Sequence, residues 1–450
     1  AAHTNTALDV AMEAVVQCAP NLVDTGMVIR FGKIRRRYAH LGIGIKDAVF
    51  KQSRSQEAIF EPRVAELEKQ LKRLLSQDRE HSHGRLGVRR GDKLSDRIEM
   101  LLLRARMLQR RGRIDKTVAD ELASIEMRAT EIRSEIERKG SDVLKSARVV
   151  GATLSSVALN YNDLGDFDVV VIDEGSMASL PQVMVAASKA RSQVIILGDP
   201  QQTPPVVVSD TPMATKYLGR NPYMQLGLED PAIDDVRRPM LTTQYRMAPP
   251  IRKIVSDLFY AGKLEDGKNV HEYTGDNALL IDTSNTDARA AKKGGSRINL
   301  VHSQIVVDVV RECFGMGLRD IGVITPFNAQ SKIIRQSLDA AIPGFFRGGN
   351  FVGTVHRSQG GEKDVIILDF VDTLDNMSSF LDESWNPHVR NLLCVALSRA
   401  RKKLIVIAHT RGFRAKYGYR RALIMRILGA IYHAGEYRVL ETNTLQVGAA

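Results

Sequence analysis

Two carboxylates, Asp173 and Glu174, stand side by side directly after the apolar run VVVI at 169–172. Four consecutive β-branched residues predict a buried strand, and open α/β sheets bind ligands outside the carboxyl ends of their strands. At such an end one carboxylate can hold Mg2+, directly or through water, and a second can orient and deprotonate an attacking water. Asp173 fits the first role and Glu174 the second. The same residues also fit a strand followed by an acidic helix N-cap, and alone they do not decide. A second run, IILGDPQQTPPV at 195–206, ends a predicted strand in Gly-Asp, a glutamine pair and two prolines. Neighbouring strands would bring Asp199 and Gln202 beside Asp173 and Glu174. A glutamine there can hydrogen-bond a γ-phosphate or its attacking water; a mere turn needs no such composition.

The elements that must position these groups are legible as short apolar runs. ARVVGATL, DVVVIDE, QVIILGD, DIGVITPF, FVGTVH, DVIILDFV and KKLIVIAH each read as a buried parallel strand. Helical stretches lie between several of them, so the fold class is α/β, and the Pro- and charge-rich 229–239 reads as the junction of two α/β units. From 58 to 76 and from 92 to 146 the grammar is helical, with Leu67, Leu71, Leu74 and Leu75 on one stripe and Leu94, Ile98, Leu101 and Leu102 on another. This predicts a helical hairpin or small helical subdomain, turning through HSHGRLGVRRGD. His81 and His83 in that turn have no Cys or carboxylate cluster to complete a metal site and read as loop residues.

The chain has 450 residues, enough for two or three domains. No apolar run approaches the ~20 residues that cross a bilayer, so no membrane partner is expected. Three scattered cysteines, Cys18, Cys313 and Cys394, exclude a disulfide scaffold and point to a reducing, intracellular setting, cytoplasmic or nucleoid-associated. Between Lys33 and Lys145 lie 28 basic and 18 acidic residues, which is +10 of the net +12. A basic segment in an otherwise balanced chain suggests a polyanion, usually nucleic acid. A solvated arm whose arginines pair with its own glutamates fits equally well.

These runs sit in a longer ordered series. AHTNTALD (2–9), DEGS (173–176), GDPQQTPP (198–205), QYRM (244–247), ITPFNAQ (324–330), GTVHRSQGGEKDVII (353–367) and VALSRARKKLIVI (395–407) follow one another along the chain. The series resembles superfamily 1 helicases, in the branch of the nonsense-mediated-decay RNA helicase and related DNA helicases. It spans nearly everything except the basic arm. The resemblance implies two RecA-like (P-loop NTPase) parallel-sheet lobes with an inserted helical arm. The first lobe would take 1–32 and 147–236, the arm 33–146, the second lobe 237–422, and a C-terminal helical tail 423–450. It implies an ATP-dependent motor moving along single-stranded DNA or RNA, 5′ to 3′, with ATP and Mg2+ as cofactors.

Carried over residue by residue, the resemblance makes Glu174, Gln202, Arg246 and Arg399 the catalytic set. Both arginines would reach the γ-phosphate, where a planar guanidinium stabilises transferring charge. Asp173 would hold the metal. Asp199, Tyr245, Gly361 and Glu362 would join Asp173 around the nucleotide, Tyr245 stacking on adenine and Glu362 accepting from the ribose. Thr4, Asn5, Thr153, Thr325, Pro326, Thr354, His356 and Gln359 would meet the strand, mostly at phosphate and sugar. Gln359 would help couple the two sites. A protein partner on the arm is a further expectation.

The sequence departs from the family at Ala248, Thr203, His356, Ser358 and Cys394. None of these removes an ATP-contacting group, while His356 and Ser358 alter the strand-contacting motif. No GxxxxGK[ST] loop occurs in the 450 residues; that loop would cradle the phosphates. In the family it lies just ahead of AHTN, and AAHTNTALDV carries neither an initiator Met nor a signal pattern. The sequence therefore reads as a fragment whose parent hydrolyses ATP and which has little activity alone. The rival readings are a non-catalytic clamp or scaffold with vestigial ATPase motifs, and an ATP switch that binds strands without unwinding them.

Overall fold

The computed structural model describes residues 5–25, 27–31, 41, 43, 54–77, 94–109, 116–268, 273, 275–355, 361–418 and 422–442. Thr4, His81, His83, His356, Ser358 and Gln359 lie outside them, as does the side chain of Asn5. The chain divides into two compact units, 1–175 with 181–197 and 176–180 with 198–450.

In the first unit, helix α1 (Asn5–Cys18) is followed by a short helical segment (Pro20–Asp24) and strand β1 (Val28–Arg30). Arg30 and Asp9 form a buried ion pair at 2.9 Å that ties strand to helix. Three helices follow, α2 (Arg54–Gln77), α3 (Leu94–Gln109) and α4 (Lys116–Ser146). Phe60, Val64, Leu67, Leu71 and Leu74 of α2 pack on Ile98, Leu101 and Leu102 of α3 and on Leu122, Ile125 and Ile132 of α4. The predicted stripes are thus the core of this arm, with the side chains of Leu75 and Leu94 outside the described residues. The stretch read as one helical segment from 92 to 146 holds two helices. Many arm charges pair internally: Arg97 with Glu68 at 2.7 Å and also with Glu61, Arg63 with Glu135 at 2.9 Å, and Arg106 with Glu126 at 2.5 Å. The arm ends where it begins, because β2 (Val149–Gly151) pairs in parallel with β1, Val28 opposite Val149.

Helix α5 (Leu154–Leu159) leads to β3 (Phe167–Ile172), which pairs in parallel with β4 (Ala190–Ile196), Ile172 opposite Ile196. Parallel register sends both following loops off the same edge, with Gly175 N donating to Leu197 O at 2.8 Å. Val169 and Val171, expected to be buried, are 44% and 42% exposed. They line a cavity of about 530 Å3 with Leu8, Met12, Gly151 and Asp173. Among the described residues β3 has β4 as its sheet neighbour on one side alone, which leaves its outer edge uncovered.

In the second unit, two short helices (Pro212–Leu218 and Pro222–Leu226) precede β5 (Thr243–Gln244), α6 (Pro249–Phe259) and β6 (Glu265–Asp266). Its centre is a six-stranded parallel sheet that includes β7 (Ala278–Asn285). A hairpin of β8 (Ala291–Lys293) and β9 (Ser296–Ile298) precedes α7 (Leu300–Gly315), β10 (Ile321–Ile324) and α8 (Asn328–Ala341). Then come β11 (Phe351–Gly353), β12 (Lys363–Asp369), α9 (Val389–Leu397), β13 (Ala400–Ala408), α10 (Leu423–Ala434) and β14 (Glu436–Glu441). The strand order is β11-β10-β12-β13-β7-β14. Alternation along each strand builds two cores. Val365 and Ile367 of β12 pack with α7 and α8 on one face; Ile366 and Leu368 pack with α6, α9 and α10 on the other. All seven predicted strands are present. The segment read as a helical tail holds α10 followed by a strand, which pairs with β7.

Candidate active site

Asp173 and Glu174 follow the last residue of β3, as the sequence predicts. Asp173 Oδ1 accepts from Glu174 N at 3.0 Å. Glu174 has φ 55°, a left-handed conformation that costs a non-glycine residue of order 1–3 kcal/mol. Such strain is concentrated at sites that must aim a side chain.

In the second unit, polar contacts and two peptide links, Gly361–Glu362 and Tyr245–Arg246, join seven predicted site residues. Gln202 Nε2 donates to Asp199 Oδ2 at 2.9 Å, and Arg399 Nη2 donates to Gln202 Oε1 at 3.1 Å. Because the amide nitrogen is committed to a carboxylate, its oxygen must face the guanidinium. Arg399 also donates to Gly361 O at 3.3 Å. The next residue, Glu362, takes Nε of Arg246 at 2.8 Å. Arg246 follows Tyr245 in a turn held by one side chain: Gln244 Oε1 accepts from the backbone N of Arg246 and Met247, and its Nε2 donates to Met247 O and Asp266 Oδ1.

Several supporting residues carry no signal in the motifs. Tyr260 donates to Asp199 Oδ2 at 2.5 Å and lies 3.4 Å from Cys394 Sγ. Burial, then Cys394 and Asp199, push the Tyr260 hydroxyl well above its usual range. Burial also raises the Cys394 thiol, with Asp199 adding to it. Both therefore stay protonated, and Cys394 is a neutral neighbour for Tyr260 rather than a nucleophile. Asn391 Nδ2 donates to the carbonyls of Pro200 (3.1 Å) and Gln202 (2.8 Å), pinning the GDPQQ loop. The Tyr245 ring, 64% exposed, rests on Gly267: a methyl group there would lie 2.1 Å from Cε1. Gly267 N donates to Gln244 O at 2.8 Å, so the ring's support belongs to the strand that anchors its turn. Burial pushes the Asp266 carboxyl up, but hydrogen bonds from Arg252 and Gln244 outweigh it and hold it below the usual range.

The residues expected to meet a strand are placed differently from one another. Thr153 caps α5, its hydroxyl accepting from Ser156 N at 3.1 Å. Thr325, just past β10, is buried, and its hydroxyl has no hydrogen-bond partner among the described residues. Pro326 and Thr354 are half-buried, and Asn5 is the first residue of α1. No group of three or more His, Cys, Asp or Glu among the described residues is arranged to hold a metal ion. No helix among them is long and apolar enough to cross a membrane.

Two family models, each described as an AAA domain, match residues 1–210 and 227–411. The probable helicase MAGATAMA 3 of Arabidopsis thaliana is 28% identical over 61% of this chain and 34% of its own length. The regulator of nonsense transcripts 1 homolog of Neurospora crassa is 28% identical over 65% of this chain and 27% of its own. DNA-binding protein SMUBP-2 of Mesocricetus auratus is 28% identical over 91% of this chain and 40% of its own. The chain thus spans well under half the length of these curated relatives. With the motif order, the parallel-sheet architecture and these matches together, the chain belongs to the superfamily 1 helicases, in the branch of the nonsense-mediated-decay RNA helicase.

Proposed function

We propose that the protein is an ATP-dependent helicase that moves along a single strand of nucleic acid. The observation that carries this reading is the chain of contacts from Asp199 through Gln202 and Arg399 to Gly361, and from Glu362 through Arg246 to Tyr245. An ATP site needs an aromatic surface for the base, a hydrogen-bond acceptor for the ribose and cationic groups for the phosphates, and these residues supply all three. Tyr245 stacks on adenine, Glu362 releases Arg246 to accept from the ribose, and Arg246 and Arg399 stabilise charge on the γ-phosphoryl group. Gln202, gripping Arg399, registers whether that phosphate is present. Glu174 takes the proton of the attacking water, and Asp173 holds the cation.

One Asp173 oxygen accepts from Glu174 N, leaving the other to a cation. That suits Mg2+, which takes one or two protein carboxylates and completes its shell with phosphates and water. Bound there, the ion would neutralise charge on the phosphates. Strand contacts at Thr4, Asn5, Thr153, Thr325, Pro326, Thr354, His356 and Gln359 would convert the nucleotide cycle into stepping, and the arm would add a nucleic-acid or protein-docking surface.

The test is strand-stimulated ATP turnover and strand displacement in a protein that supplies a GxxxxGK[ST] loop, compared with Glu174→Gln. The amide keeps size and hydrogen bonding but takes no proton, so turnover should vanish while ATP binding persists. Turnover without displacement would leave the switch reading. Wild-type turnover in the mutant would remove Glu174 from the role of base.

A further inference from the structure

We propose that the β8–β9 hairpin is an additional phosphate-backbone contact for the single strand; this extends, and rests on, the nucleic-acid reading above. The hairpin turns through Gly294 and Gly295, with φ 53° and 74°. Positive φ at both central residues is the geometry of a tight two-residue turn. The tip therefore carries no side chain, and the cationic side chains of Lys292 and Lys293 immediately precede it. Both lysines are exposed and have no carboxylate partner among the described residues.

The register sharpens the point. Lys292 stands opposite Arg297 and Lys293 opposite Ser296. Like charges directly across a ladder destabilise it. Arg297 is relieved, because it is buried and donates to Asp372 Oδ1 at 3.1 Å and to Asn376 O at 2.5 Å. Lys292 is exposed and has no carboxylate partner among the described residues, so its charge is available to an external anion.

The hairpin is also fixed at its base. Ala290 N donates to Thr373 Oγ1 at 3.0 Å, and Ser296 Oγ accepts from Ala329 N at 3.1 Å. Ala329 is in the first turn of α8, directly after the ITPFN segment that the functional reading assigns to the strand. That helix has no side-chain cap and no acidic residue in its first turn. The lysines are thus held beside the proposed strand path on a preorganised support. A phosphate backbone suits them better than a protein partner does. Lysine binds phosphate as a flexible point charge, and the only apolar residue beside them on β8 is Ala291, with none of the aromatic or arginine anchors of a protein hot spot.

The experiment measures anisotropy of labelled dT and U homopolymer strands against salt concentration, for the chain and for Lys292→Ala/Lys293→Ala. The log–log slope should fall in magnitude by about 0.7 for each lysine that no longer neutralises a phosphate, so by up to about 1.4, with both polymers alike. Lys292→Arg/Lys293→Arg should keep the slope, and the melting temperature should not move. An unchanged slope in the folded alanine variant, while the parent binds, would overturn the hairpin's role and leave the helicase reading standing. A loss confined to one polymer would overturn the assignment to phosphate. A parent chain that binds neither polymer would overturn both readings at once.

Discussion

Arg399 Nη2 donates to Gln202 Oε1 at 3.1 Å, joining segments 197 residues apart. Replacing Arg399 by Ala should lower strand-stimulated ATP turnover by ~10³-fold or more, the range of an arginine acting on a transferring phosphoryl group. The residue is 5% exposed, and its removal strands the acceptors on Gln202 and Gly361, so a stability loss of about 1–3 kcal/mol is expected as well. Turnover and a denaturant melt measured on one preparation decide between roles. If turnover falls only as far as the folded fraction does, Arg399 is structural.

Tyr260 should act through its hydroxyl alone. Tyr260→Phe keeps the ring and removes one of the two donors to Asp199 Oδ2. Gln202 keeps its bond to Asp199, but the carboxylate loses the hydroxyl that helps hold it in place, so Gln202 is positioned less firmly and kcat should fall several-fold with little change in KM for ATP. Equal loss in Tyr260→Phe and Tyr260→Ala would support this. A change in KM alone would mean that the hydroxyl affects nucleotide binding instead.

Gly267→Ala should displace the Tyr245 ring, since the added methyl overlaps it at 2.1 Å. KM for ATP should rise while kcat changes little, the signature of weakened ground-state binding. In a Tyr245→Ala background the same change should add nothing, and that cycle isolates the pair. An effect that persists without the ring would move Gly267 to a backbone role.

Asp266 gives a pH signature with a defined sign. Its folded pKa lies below the ordinary carboxylate value, so its contribution is complete above about 3.9 and is lost as pH falls through the folded value. Wild type should exceed Asp266→Asn in stability by no more than about 1 kcal/mol at neutral pH, because the Arg252 pair is part-exposed and screened by salt. Denaturant melts from pH 7 to 3 should show that gap closing. A gap that widens toward acid would contradict the assignment.

The strands and the ordered motifs were legible because each is local: β-branched runs such as 169–172 need only their own composition to declare themselves. Tyr260, Asn391 and Gly267 were not legible, since their meaning comes from partners 22 to 191 residues away that no window of sequence contains. The tail shows the same limit. EYRVLE alternates as a strand should, yet only pairing with β7 makes it one. Thr153 illustrates a different ambiguity: the hydroxyl that could touch a phosphate is also a good helix N-cap.

Strand β14 has a consequence for how the protein behaves in a crowded solution. It closes one margin of the six-stranded sheet with Glu436, Arg438 and Glu441, Arg438 held by Glu312 at 2.8 Å. The opposite margin, β11, is only three residues long. On one border charged residues interrupt the part-exposed Tyr437 and Val439, and the other border is brief, so little ladder is left for another chain to extend. Both features disfavour pairing of this unit with another chain through its own backbone.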